Sequence, residues 1–282
     1  MKTAMVLEGG AMRGMFTAGV LDVLMENNIT TDVTIGVSAG AAFGSNFKSG
    51  QIGRSIRYNL RFCRDKRYCS IWSLLFTGNL YGAKFCYHTL PNKLDVFDTE
   101  AFEKSPMEFY VVCTDVETGK PLYKKIDKAD DVAYEWFRAS ASLPLVSEIV
   151  ELEDKKLLDG GISDSIPLKF AESIGCDKSV VILTQPKGYT KKPASMMGIM
   201  ERIFKKYPKM IEALKNRYIM YNDTLKYIEE KEREGSVLVI RPKESLIIKR
   251  VEHKRENLEA VYKLGREIAQ ERLEEIIKFL SE

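Results

Sequence analysis

The stretch DVTIGVSAGAAFG (residues 32–44) decides how this chain is read. Val33, Thr34 and Ile35 are β-branched and form a strand-like run. Gly36-Val37-Ser38-Ala39-Gly40 is a turn of small residues, and Ala41-Ala42 continue an alanine-rich helix start. A strand that turns sharply into a helix holds the turn side chain, here Ser38, at the helix N-terminus. There the dipole and free N–H groups favour a developing negative charge. A GxSxG turn needs small flanking residues because its backbone is strained and neighbouring elements press close. The same string also serves as a plain strand-to-helix turn, so the rest of the chain has to decide.

Upstream, AMVLE is a short apolar run followed by the glycine turn GGAMRG (9–14). Phe16, Val20, Val23 and Leu24 then recur at helical spacing until Asn27-Asn28. Strand, helix, strand predicts a parallel βαβ unit with a right-handed crossover. Downstream, EFYVVCTDVETGKPLYKK (108–125) reads as strand, turn, strand, and ADDVAYEWFRASASLP as a helix stopped before Pro144. KKLLDGG (155–161) reads as a strand ending in Asp159-Gly160-Gly161, KSVVILTQP as a buried strand, and GSVLVIRPKE as a last strand. Residues 198–234 are helical and charged. A closing amphipathic helix carries Leu258, Val261, Leu264, Ile268, Leu273, Ile276 and Leu280 on one face. Residues 45–90 read as an insertion or lid over the core. With 282 residues and no linker, one α/β domain over 1–282 is expected, its core motifs in 3–185 and its remainder completing the sheet.

Three glycine-marked turns, at 8–14, 36–40 and 158–161, each follow a short apolar strand. In a parallel sheet such turns gather at the carboxyl edge, where ligands bind. GGAMRG departs from a dinucleotide fingerprint at Ala11, and Asp32 stands at the start of the second strand, not its end. Two readings remain for it: a packing turn, or an oxyanion hole made by the amides of Gly9, Gly10, Ala11, Met12 and Arg13. If Ser38 is a nucleophile it needs a base. The chain has two histidines, His88 in the apolar 45–90 region and His253 in a charged stretch, and neither ends a strand beside a turn. Asp159 does, and a carboxylate within about 3 Å of the hydroxyl accepts its proton directly. A partly dry site would raise its basicity. An Asp-Gly turn residue is the plainer alternative.

EGGAMRG, GVSAG and LDGG, in this order and spacing, resemble the patatin-like phospholipase family over residues 3 to about 185, with RASASLP (138–144) and DSIP (164–167) also similar. The resemblance implies a three-layer α/β/α fold with a mostly parallel central sheet. It implies a serine lipid acyl hydrolase, of phospholipase A or esterase type, with a Ser–Asp dyad and no histidine. Ser38 would be the nucleophile, Asp159 the base and the Gly9–Arg13 amides the oxyanion hole. Gly14, Gly36, Gly40, Gly160 and Gly161 would be the motif glycines. No metal or cofactor is implied. Ala11 stands where the family usually has glycine. If that position takes positive φ, its methyl costs about 1–2 kcal/mol. A lipid-binding or regulatory protein with weak turnover is therefore the alternative, and acyl transfer or thioester hydrolysis with the same dyad a further one.

The net charge of +3 excludes nothing by itself. Locally, residues 53–69 carry six basic residues against one acid, with Tyr58 and Phe62 interleaved and Trp72 and Phe76 beyond. Residues 187–217 carry nine against two, with Met196, Met197, Ile199, Met200, Ile203 and Phe204. Basic apolar helices suit an anionic membrane surface. No nucleic-acid module accompanies the charge. Five cysteines without CxxC spacing give neither a disulfide framework nor a metal site. The chain enters a strand at once, leaving no room for a signal peptide, so a cytoplasmic protein with peripheral membrane contact is expected. The sequence does not give the oligomeric state.

Overall fold

The computed structural model describes all 282 residues. β1 (Thr3–Leu7), α1 (Gly14–Glu26) and β2 (Val33–Val37) form the predicted unit, with the two strands parallel. α2 (Ala39–Lys48), α3 (Arg54–Phe62), α4 (Ile71–Thr77), a π-helical stretch (Phe85–Leu94) and α5 (Thr99–Lys104) follow. Next come β3 (Glu108–Asp115), β4 (Pro121–Lys125), α6 (Asp131–Ser140), β5 (Val150–Leu152) and β6 (Lys155–Asp159). The rest is α7 (Leu168–Ser173), β7 (Lys178–Ile182), α8 (Met197–Ile203), α9 (Pro208–Glu234), β8 (Val237–Ile240), α10 (Arg255–Glu271) and α11 (Leu273–Ser281).

The sheet order is β5-β6-β3-β2-β1-β7-β8, with β4 also on β3. β3, β2, β1, β7 and β8 run parallel. β1 and β2 are buried along their whole length, as central parallel strands covered on both faces must be. Side chains alternate between the faces. Met5 and Leu7 meet a layer built from α1, α2, α3 and α10. Ala4 and Val6 meet α7 and α9 on the other side. This is the three-layer α/β/α architecture. No helix is long and apolar enough to cross a membrane.

Residues after 186 continue the same layers. β8 pairs in parallel with β7, and α10 crosses α1 at very short range. A Cβ on Gly19 would lie 2.1 Å from the Tyr262 carbonyl, and one on Gly265 2.1 Å from that of Phe16. The closing amphipathic segment is two helices, broken at Arg272, whose guanidinium reaches the Val239 carbonyl of β8.

Three expectations change. β6 runs antiparallel to β3, so LDGG does not end a parallel strand. It is the second arm of a hairpin with β5, whose turn uses Glu153 and Asp154 at φ 47° and 59°. Such a primed turn usually announces itself with glycine, and this one does not. Residues 45–90 do not lie over the core but enter it: Tyr58, Phe62, Cys63, Tyr68 and Cys69 are buried with α1 and α10. The aromatic residues of 54–67 are thus turned inward, and Arg54 and Arg57 are paired with Asp95.

Candidate active site

Strand register brings Ser38 and Asp159 together. Val37 pairs with Val112, and Cys113, the next residue of β3, pairs with Asp159. Ser38 and Asp159 therefore stand on either side of Cys113, two strand spacings apart, roughly 10 Å between backbones. Because β6 descends the sheet, its carboxyl end still lands at the level where β2 ends.

Ser38 sits at φ 55°, ψ −121°, a region that costs of order 1–3 kcal/mol for a residue with a side chain. The surroundings hold it there. Gly36 and Gly40 leave room: a Cβ on Gly36 would lie 2.5 Å from Ala41 Cα, and one on Gly40 2.6 Å from the Leu7 carbonyl. The Ser38 N–H donates to Ser140 Oγ at 2.9 Å, and Ser140 Oγ donates to the Val112 carbonyl at 2.6 Å. Two residues on, the Ser142 carbonyl accepts the Asp159 N–H at 2.8 Å. The RASAS segment thus clamps both candidate residues. The sequence shows the segment's resemblance but not this clamping role.

Asp159 is 2% exposed. Oδ1 accepts the Gly161 N–H at 2.8 Å, while Oδ2 is buried without a hydrogen-bond partner. Burial pushes its carboxyl above the ordinary value; the nearby Ser38 hydroxyl, the Arg217 guanidinium and the Gly161 N–H oppose that. Ser38 lies near enough to act on the carboxyl, yet no hydrogen bond of ordinary geometry joins them. Gly160 packs against the Val112 carbonyl, 2.2 Å from where its Cβ would be. The carbonyl of Gly161 accepts from Arg217 Nε at 2.6 Å.

The Gly9–Gly14 loop closes a third side. A Cβ on Gly9 would lie 3.1 Å from Ser38 Cβ, and one on Gly14 2.7 Å from the Phe43 ring. The Gly9 N–H donates to the Ser165 carbonyl at 3.5 Å and the Arg13 N–H to that of Gly10 at 3.1 Å. Those two candidate donors are engaged. The N–H groups of Gly10, Ala11 and Met12 enter no turn or loop hydrogen bond. Ala11 has φ 48°, so the position does take the conformation that glycine favours, and alanine bears its cost.

The loop is anchored by Glu8, which sequence reasoning passed over. Its buried carboxyl accepts from Thr184 N–H at 2.5 Å, Thr184 Oγ1 at 3.0 Å and Tyr221 Oη at 2.6 Å. The histidines lie elsewhere. His88 Nε2 is 2.9 Å from Glu135 Oε1, and His253 Nδ1 is 2.6 Å from the Cys63 carbonyl.

Two cavities meet at Ser38. One, of about 130 Å³, is walled by apolar and aromatic side chains including Met12, Phe43, Tyr58, Leu90, Phe97 and Phe137. The other is smaller and polar, and holds Asp159 and the Gly9–Ala11 backbone. The first has the apolar lining that an acyl chain would need, and both reach Ser38.

A family model described as patatin-like phospholipase matches residues 5–172. One described as a domain of unknown function, DUF6363, matches 207–281. The uncharacterised protein YjjU of Escherichia coli is 28% identical over 296 residues, spanning 100% of this chain and 80% of its own length. Lysophospholipase nte1 of Emericella nidulans is 25% identical over 210 residues, spanning 70% of this chain but 13% of that much longer protein. Among solved structures, VipD from Legionella pneumophila covers 97% of this chain and 67% of its own, at 13% identity and a TM-score of 0.47.

Proposed function

The chain belongs to the patatin-like phospholipase family, and on that premise we propose that it hydrolyses carboxylic esters of lipids through an acyl-enzyme on Ser38. The observation that carries this is Asp159 Oδ2: a buried, unpartnered carboxylate oxygen in the same cavity as a serine held in a strained elbow. Asp159 takes the hydroxyl proton as Ser38 Oγ attacks the ester carbonyl. The amides of Gly10, Ala11 and Met12 face the oxyanion. The protonated Asp159 then gives its proton to the leaving alcohol. Water, deprotonated by the same carboxylate, attacks the acyl-serine; as the acid leaves, Asp159 returns that proton to Ser38 Oγ. Ala11 favours the weak-turnover alternative only through its cost, because its amide keeps its place in the loop. A fluorescent fluorophosphonate is the test: it should label the parent on Ser38 and leave Ser38→Ala unlabelled. A folded parent that stays unlabelled sinks the proposal.

The base must be ionised to accept a proton, and burial raises its pKa. Turnover should therefore rise with pH along an acid limb lying above the ordinary Asp value of about 3.9. Arg217 opposes that rise, so Arg217→Met should move the limb to still higher pH. The check is kcat/KM against pH on a soluble short-chain ester. A limb that Arg217→Met leaves in place belongs to another group.

We further infer peripheral contact with an anionic membrane, through α4 rather than α3. Ile71, Trp72, Leu75 and Phe76 of α4 are 70, 58, 70 and 79% exposed. Ile199 and Ile203 of α8 and Met196 just before it are exposed as well. Both helices lie near one segment: Leu80, just after α4, donates its N–H to the Val146 carbonyl, and Ile149 packs against the same buried cluster as Met197 and Met200. Leu143, three residues before Val146, lines both cavities. Exposed Arg64, Lys66, Lys205 and Lys206 supply charge for anionic headgroups. Of the two tryptophans, Trp136 is buried and Trp72 exposed. Phosphatidylglycerol vesicles should shift the emission to the blue, and Trp72→Ala should abolish the shift. A shift surviving in that variant would place the contact elsewhere.

A further inference from the structure

On the polar side of Ser38, four cationic side chains converge. Arg13, Lys191, Arg217 and Arg250 line the small cavity with Gly9, Gly10, Ser38 and Asp159. They come from four distant parts of the chain, and Arg217 and Arg250 lie in the segment of unknown function. None of the four makes a salt bridge, although Asp159 lines the same cavity. Arg217 spends its Nε on the Gly161 carbonyl and Arg13 its Nε on Thr184 Oγ1 at 3.4 Å. Lys191 Nζ lies 4.1 Å from the Tyr221 ring centroid. Burial first, and then Arg217, Arg13 and Arg250, push its pKa down to about 8, with Glu8 acting the other way.

Packing four cations around one carboxylate costs free energy through mutual repulsion, and an anion in their midst relieves it. The cavity is about 40 Å³, room for roughly three waters or one compact anion. Its position fixes what that anion belongs to. With the acyl chain in the apolar cavity and the carbonyl at Gly10–Met12, the alcohol half of the ester points into the polar one. We propose that Arg13, Lys191, Arg217 and Arg250 form a phosphate-recognition site, which selects esters whose leaving alcohol carries a negatively charged phosphate. Guanidinium and ammonium groups are the donors such a group takes, through charge-assisted hydrogen bonds. The segment 207–281 thereby contributes to substrate choice and not only to the fold. This inference rests on the ester-hydrolase reading, whose own failure shows separately, as a parent that fluorophosphonate does not label.

The test uses full-length Ser38→Ala, which binds without turnover, in titration calorimetry below the micelle concentration. Three probes are compared: 1-octanoylglycerol 3-phosphate, 1-octanoylglycerol and inorganic phosphate. The phosphorylated lipid should bind at least tenfold more tightly than the neutral one. Adding Lys191→Gln and Arg250→Gln should bring that ratio to within about threefold, with circular dichroism confirming the fold. Equal binding of the two lipids overturns the proposal. So does a ratio that survives both substitutions. Inorganic phosphate binding as tightly as the phosphorylated lipid overturns the assignment to an ester's leaving group.

Discussion

Ser38→Ala and Asp159→Asn should each lower ester turnover by about 10⁴-fold or more, and the double variant should lose little beyond either single one. Residues that act as one unit are strongly non-additive, because removing one disables the step the other serves. In the proposed mechanism Ser38 supplies the attacking oxygen and Asp159 Oδ2 receives its proton. What survives is the contribution of the free amides and of binding. The loss in Asp159→Asn must not be a loss of fold, and linkage supplies the control. In the folded protein burial holds the Asp159 proton more tightly than in the unfolded chain. Between the unfolded pKa and the higher folded one the native state binds more protons, so stability falls as pH rises through that window. Above it the deficit is complete. Asp159→Asn removes the deficit and should raise the Tm at neutral pH, an advantage that fades below the unfolded value of about 3.9. A variant both slower and more stable assigns the carboxyl to chemistry. Additive losses in the double variant, or full activity in Asp159→Asn, would remove Asp159 as the base.

The parts of the site that can be read locally are those whose chemistry is local. Ser38 announces itself because β-branched Val33-Thr34-Ile35, small Gly36 and Gly40, and Ala41-Ala42 all act within a dozen residues. Asp159 is visible through Gly160 and Gly161, but its strand direction is not. The β5–β6 turn uses Glu153 and Asp154 at positive φ, where composition gives no glycine to see. The positive φ of Ala11 was foreseeable only as a condition. Ser140, Glu8, Lys191, Arg217 and Arg250 carry no local signal at all. Their partners lie tens to hundreds of residues away, as Tyr221 does from Glu8, and no periodicity encodes a meeting of that range. The basic stretches were legible as charge but not as direction. Arg54 turned to Asp95 and Arg217 to the cavity shared by Ser38 and Asp159, while the exposed apolar face fell to α4.

Glu8→Ala should destabilise the protein by about 3–5 kcal/mol, the cost of breaking a buried, charge-assisted network from one side. Three donors would be left without their acceptor: the N–H and hydroxyl of Thr184 and the hydroxyl of Tyr221. The site is dry, since Glu8, Thr184 and Tyr221 are each at most 1% exposed, so water does not readily replace the carboxyl. The network joins the end of β1, the residues after β7 and the middle of α9, the elements that fix where the Gly9–Gly14 loop begins. At roughly 2–4 °C per kcal/mol for a chain of this size, the Tm should fall by about 6–20 °C. Tyr221→Phe removes one donor and keeps the ring, so it should cost only about 1–3 kcal/mol. A double-mutant cycle then isolates the bond. Denaturant unfolding of the parent, both single variants and the double variant should return a coupling of about 1.5 kcal/mol or more. Coupling below about 0.5 kcal/mol would mean that Tyr221 docks α9 by packing alone and that Glu8 does not tie the helix to the loop. Turnover adds a second readout. The Gly10, Ala11 and Met12 amides begin two residues after Glu8, so a folded Glu8→Ala variant should lose kcat more than it gains in KM. Carbonyl positioning matters most when the oxyanion forms.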